Sequence, residues 1–124
     1  MTIIEAITRL DDLKFNTYSK EIKRSWLSAL DMKIHQEIIQ THEGSDGSTF
    51  SGYTEKTPDS TVLLVPEPYD EIYLRWMEAQ VDYHNGEFDK YNASIIMFNT
   101  ALTQFSNRYN HLHRPIPRGR RFLF

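Results

Sequence analysis

Eight apolar residues, Phe88, Tyr91, Ile95, Phe98, Leu102, Phe105, Tyr109 and Leu112, succeed one another at alternating intervals of three and four. That is the a/d spacing of a helix packed along its length. At about 1.5 Å per residue such a helix spans on the order of 38 Å, long for a chain of 124 residues. A stripe of that length needs a partner helix. The Asn85-Gly86 turn signal just before it points to an antiparallel helical hairpin, with one continuous bent helix as the alternative. Pro66 and Pro68 preface the preceding helix, and Asp70 and Glu71 suit its positive end. Ile72, Tyr73, Trp76, Met77, Gln80, Val81 and His84 mark its faces. The long stripe reads as bundle core, and Asn92 and Asn99 beside it are expected to be buried and hydrogen-bonded.

The first half of the chain supplies two more helices. Thr2 and Glu5 have capping-box spacing, and Ile3, Ile4, Ile7 and Leu10 place a helix over residues 3–13. After a polar break at Asn16, Thr17 and Ser19, with Ser19 as N-cap, a second helix runs from Lys20 to about Thr41. Its stripe is Ile22, Trp26, Leu30, Ile34 and Ile38, widened by Leu27 and Ala29. Between Glu43 and Pro68 the helical period stops at Gly44-Ser45-Asp46-Gly47-Ser48. Thr61 to Val65 reads as a short strand, paired with Phe50 to Thr54 in a β-hairpin. A non-helical segment of this length inside a small domain is often functional. It is expected to project, offering Phe50, Tyr53, Val62, Leu63, Leu64 and Val65 to a partner. The fold class is therefore mainly α: a bundle of about four helices with a long antiparallel hairpin, a long loop or short β-hairpin at 43–68, and an extended C-terminal arm. Residues 1–113 form one domain, and residues 114–124 form the arm.

Net charge conceals how the charge is distributed. The sum over the chain is −3, but residues 1–89 hold eight basic and 17 acidic side chains, a net −9, whereas residues 90–124 hold six basic and no acidic ones, +6. After His113 the chain reads Arg-Pro-Ile-Pro-Arg-Gly-Arg-Arg-Phe-Leu-Phe, which Pro115 and Pro117 bias towards an extended form. Large apolar side chains rarely serve solvent alone, so Phe122, Leu123 and Phe124 are expected to dock on this subunit or a neighbour. Arg114, Arg118, Arg120 and Arg121 suit an acidic protein surface, and phosphate contact with DNA is their second use.

Catalytic signatures are missing from the sequence. There is no cysteine, which excludes disulfides, thiolate zinc sites and thiol nucleophiles. No GxSxG, phosphate-binding glycine loop or dinucleotide fingerprint occurs. His35 with His42, and His111 with His113, lack the spacing of a paired metal site, and Asp11-Asp12 and Asp70-Glu71 read as solvated helix ends. We expect no enzyme, cofactor or metal. The N-terminus lacks the basic region of a secretory signal, and no apolar run approaches the roughly 20 residues of a membrane span.

Four segments carry a family likeness: Trp26-Leu27-Ser28-Ala29-Leu30-Asp31, Val65-Pro66-Glu67-Pro68-Tyr69-Asp70, Tyr91-Asn92-Ala93-Ser94 and Arg114-Pro115. Together they resemble the head-tail connector, or adaptor, proteins of tailed bacteriophages. The resemblance implies a virion structural protein that forms a ring, usually a dodecamer, below the portal and lines part of the DNA channel. It implies contacts with further copies of itself, with the portal and with a tail-completion or stopper protein, and non-specific contact with DNA. Assembly in the bacterial cytoplasm, no membrane partner, and interaction through the 43–65 loop and the 114–124 arm belong to the same expectation. The neighbouring alternatives are a tail-completion protein and a DNA-packaging protein that uses the arginines on DNA.

Overall fold

A computed structural model describes residues 1–41 and 50–113. The described residues are mainly helical: α1 (Ile3–Leu13), α2 (Lys20–Ile34), α3 (Ile72–His84) and α4 (Phe88–Leu112). The Glu5 amide donates to Thr2 Oγ1 at 3.2 Å while the Thr2 amide donates to Glu5 Oε1 at 3.3 Å, completing the capping box of α1. Ser19 caps α2 by accepting from the Ile22 amide. Beyond Ile34 the helix widens into a π turn, His35–Ile39, in which the Gln40 N–H reaches back to the His35 carbonyl. Gly86, at φ +76°, makes the turn between α3 and α4.

Contacts between α3 and α4 run in antiparallel order. Tyr83 meets Tyr91, Asp82 meets Ser94, and Trp76 meets Phe98; Tyr69, in the 3₁₀ turn that leads into α3, meets Phe105. The core is filled by Ile3, Ala6, Ile7 and Leu10 of α1, Leu27, Leu30 and Ile34 of α2, and Ile72, Tyr73, Met77 and Val81 of α3. Trp76 Nε1 donates to the Trp26 carbonyl at 2.9 Å and ties α3 to α2. Of the α4 stripe, only Phe98 and Phe105 are buried, and Phe88 and Leu112 at its ends are exposed. Asn92 and Asn99 face outward, contrary to expectation, because α4 has helices on only one side.

The expected β-hairpin is not formed. Among the described residues the only strand-like pairing is an isolated bridge between Thr2 and Val62. The amides of the Thr61–Val65 run are committed elsewhere. Leu63 N–H donates to the Met1 carbonyl, Leu64 N–H to Asp31 and Val65 N–H to the Tyr73 hydroxyl. In return, the Thr61 and Asp59 carbonyls accept from Ile3 and Ile4, two first-turn amides of α1 that have no acceptor within the helix. Residues 50–68 are thus a strap laid over the helices rather than a projecting loop. Leu63 and Val65 belong to the core.

Gly52 lets the strap lie close to α2. Its φ is +89°, and a Cβ there would stand 2.3 Å from Ser28 Oγ, the atom that accepts from the Tyr53 amide. Gly52→Ala is expected to cost about 2 kcal/mol of stability, measured by urea unfolding.

Candidate functional site

Asp31 stands in the middle of α2 and is fully buried. It accepts from the Tyr73 hydroxyl at 2.6 Å, the Tyr53 hydroxyl at 2.5 Å and the Leu64 amide at 3.1 Å. Burial pushes its carboxyl above the ordinary 3.8, and the three hydrogen bonds pull it part of the way back. Burial, then the facing carboxylate, hold both phenols well above their usual range. A perturbed acid between two phenols is a pattern that active sites use. Here each donor comes from the chain itself, and the arrangement fastens the strap to α2 and α3.

Other acids are likewise engaged with the chain. Asp11 holds Lys23 Nζ at 2.5 Å, Glu71 holds Arg75 at 2.7 Å, and Asp59 holds both Lys20 and Arg24. Those two cations lower the Asp59 carboxyl below its ordinary value. His35 is buried against the Phe50 ring, His113 stacks on Tyr109 with ring centres 4.1 Å apart, His111 is exposed, and His42 lies outside the described residues. No group of three or more metal-ligating side chains occurs among the described residues, and no helix of theirs is long and apolar enough to cross a membrane.

Exposed apolar side chains and a groove are found at the two ends of α4. At one, Lys14 pairs with Oδ1 of buried Asp82 at 2.7 Å, and the Tyr18 hydroxyl donates to Asn85 Oδ1 at 2.6 Å. These two contacts pin the α1–α2 connector beside the α3–α4 turn. Phe15, in that connector, is 90% exposed and Leu13 is 68% exposed. Across the turn, Phe88 is 58% exposed, with its ring against Tyr83. Asp12, Glu87 and Asp89, in the last turn of α1 and the first residues leading into α4, are exposed.

At the other end, where the strap passes α4, Ile39, Leu64, Pro66, Tyr69, Phe105 and Leu112 line a groove of about 470 Å³. Glu67, Pro68, Arg108, Tyr109 and His113 complete its lining. This groove brings together residues from the end of the π turn, the strap, the lead-in to α3 and the last turns of α4, so no local pattern announces it. Phe15 carries a weak local signal, since it falls off the Ile3-Ile7-Leu10 stripe.

The residues expected to meet partners fare unequally. Val62 is 66% exposed. Leu64 lines the groove; Phe50 and Tyr53 are half-buried and pack on each other; Leu63 and Val65 are buried and unavailable to a partner. Arg114, Arg118, Arg120, Arg121, Phe122, Leu123 and Phe124 lie outside the described residues, as does the 43–49 part of the expected loop. No family model matches this sequence, and comparison with curated proteins and with solved structures finds no significant similarity.

Asp31→Leu, which keeps the branching at Cγ but offers no acceptor, strands two hydroxyls and an amide and is expected to cost about 3 kcal/mol or more in urea unfolding. With its carboxyl raised, Asp31 contributes stability that declines as pH climbs from 3.8 through its folded value. Asp59, lowered, contributes stability present above 3.8 and lost as pH falls through its folded value. Asp31→Asn should therefore flatten the stability profile above 3.8, and Asp59→Asn the profile below it. Urea midpoints over roughly pH 2 to 7 check both.

Proposed function

We propose that this chain is a non-enzymatic subunit of the head-tail connector of a tailed bacteriophage, assembling as a ring below the portal at the head-tail junction. The observation that carries this reading is the division of charge, −9 through Asp89 and +6 beyond it, ending in an arginine-rich segment tipped by Phe122, Leu123 and Phe124. A ring is closed by heterologous interfaces, in which one surface of a copy meets a different surface of the next. Opposite charges on body and arm suit that geometry, steering encounter and fixing orientation. The resemblance in the Trp26–Asp31, Val65–Asp70 and Tyr91–Ser94 segments supports the same reading. So does the largely helical architecture, which the connector likeness implies. In this reading the arm of one subunit docks on the acidic body of its neighbour or on the portal, with the tail-completion or stopper protein on the far side and DNA passing through the channel.

The same arginines favour a second reading, a DNA-packaging protein that holds phosphates. Counterion release gives that binding a steep salt slope. Removing residues 114–124 is expected to abolish attachment of the protein to portal-containing heads, scored by sedimentation of the particles. Undiminished attachment sinks the connector reading. Filter binding of the full chain to duplex DNA across a salt series, strong and steeply salt-dependent, would favour the packaging role.

A further inference from the structure

We propose that the outward face of α4 docks on the same face of a second copy of this chain, the two helices packing antiparallel about a two-fold axis near Asn99. α4 meets the bundle along Tyr91, Ile95, Phe98, Leu102 and Phe105. The residues turned away from it, Ala93, Ile96, Thr100, Thr103 and Asn107, are all exposed and again succeed one another at alternating intervals of three and four. That is the spacing of a second packing seam on the same helix. From Tyr91 to Asn107 α4 holds no charged residue, whereas the exposed side of α1 carries Glu5, Arg9, Asp11 and Asp12. Ile96, 64% exposed, and Met97, 47% exposed, stand within this uncharged stretch. Solvated helix faces are ordinarily charged, and the centres of interfaces are depleted in charge because desolvating it is costly.

The chemistry of the face selects its occupant. Asn99, Thr100, Thr103, Gln104 and Asn107 each donate and accept hydrogen bonds, so this surface is complementary to a copy of itself. A two-fold pair brings one surface against itself, which a surface of one charge sign resists. Beside Ile96 lies a shallow depression of about 360 Å³, lined also by Asn99, Thr100, Thr103 and Gln104. Packed antiparallel, each copy sets its Ile96 into the depression of the other, a knob in a hole. The same register settles the ends. Asp89 and Arg108, both exposed, lie ten and nine residues from Asn99, so Asp89 of each copy comes level with Arg108 of the other. Lys90, next to Asp89, is already paired with Glu87 at 3.1 Å. Parallel packing would instead set Asp89 against Asp89 and Arg108 against Arg108, and would align the helix dipoles. From Asp89 to Arg108 the contact runs about 28 Å on a helix about 10 Å across, a strip of roughly 300 Å² per copy. Stable complexes bury ~800 Å² per partner, so this pair is weak and reversible. It also closes on itself, which makes it a property of the chain outside any ring and independent of the connector reading.

The test uses the full chain. Sedimentation equilibrium should show monomer and dimer exchanging between about 10 μM and about 1 mM, the range of a weak pair. Ile96→Lys, at an exposed site, should keep the circular dichroism and urea midpoint of the parent and weaken dimerisation at least about tenfold. Thr103→Lys repeats the measurement should Ile96→Lys lower the urea midpoint. Asp89→Arg alone and Arg108→Asp alone should each weaken the dimer, and the two together should restore it, because the reversed charges meet again. The chain has no cysteine, so single cysteines report the pairing. Thr100→Cys, next to the axis, should oxidise to a linked dimer, and Asn107→Cys, whose two copies the axis holds about 25 Å apart, should not. A chain that stays monomeric throughout the range overturns the inference, as does a double charge reversal no better than the single ones. Asn107→Cys linking as readily as Thr100→Cys is the mark of parallel packing and overturns it too. Dimers indifferent to Ile96→Lys but lost on deleting 114–124 overturn it and assign association to that segment.

Discussion

A single carboxylate, Asp31, decides where the strap, residues 50–68, goes. It lies on the inner face of α2 and collects a phenol from α3, a phenol from the strap and a backbone amide from the strap. An ion so placed is tolerated only when its acceptor sites are filled, because desolvating a charge costs more than most single contacts return. That requirement works as a selection rule. Alternative paths for residues 50–68 leave the carboxylate short of donors, so the strap's position follows from the need to satisfy one buried charge. The Tyr73 hydroxyl passes the constraint on by donating to Asp31 and accepting from Val65. Leu63 and Val65 are then turned into the core on either side of Leu64.

The helices were legible because their information is local. Thr2 with Glu5, Ser19, and the intervals of three and four through Phe88 to Leu112 each predict an element within its own window, and α1 and α4 fall where those signals put them. The second helix was legible in its stripe but not in its widening at His35, since a π turn leaves the apolar spacing nearly unchanged. The strap is not legible in the sequence for a different reason. Thr61 to Val65 has the composition of a strand, and strand residues need amide partners, but these partners are Met1, Asp31 and Tyr73, which no inspection of 50–65 reveals. The stripe beside Asn92 and Asn99 implies cover along its whole length, which would bury both. The bundle covers only its middle.

The surfaces were the least legible part. A knob depends on what fails to pack against it, and a groove on segments distant in sequence arriving side by side. Charge was the exception. The division at Asp89 is visible without any structure, and in the fold Asp12 and Asp89 are exposed at one end while Arg108 stands near the other end of α4. The long helix is thereby the spacer between two unlike surfaces as well as a core element.

The exchange of hydrogen bonds between the strap and the start of α1 has a dynamic consequence. Thr61 and Asp59 supply the acceptors for Ile3 and Ile4, and Met1 supplies the acceptor for Leu63. Neither segment can detach without leaving the other's polar groups unpaired, so the two are one cooperative unit in local opening. The first residues of this chain, usually the part of a domain that frays most readily, are locked to a segment some sixty positions away. The ends of α4, where Phe88 and Leu112 are exposed, have no such reciprocal tie among the bonds described for the strap and α1.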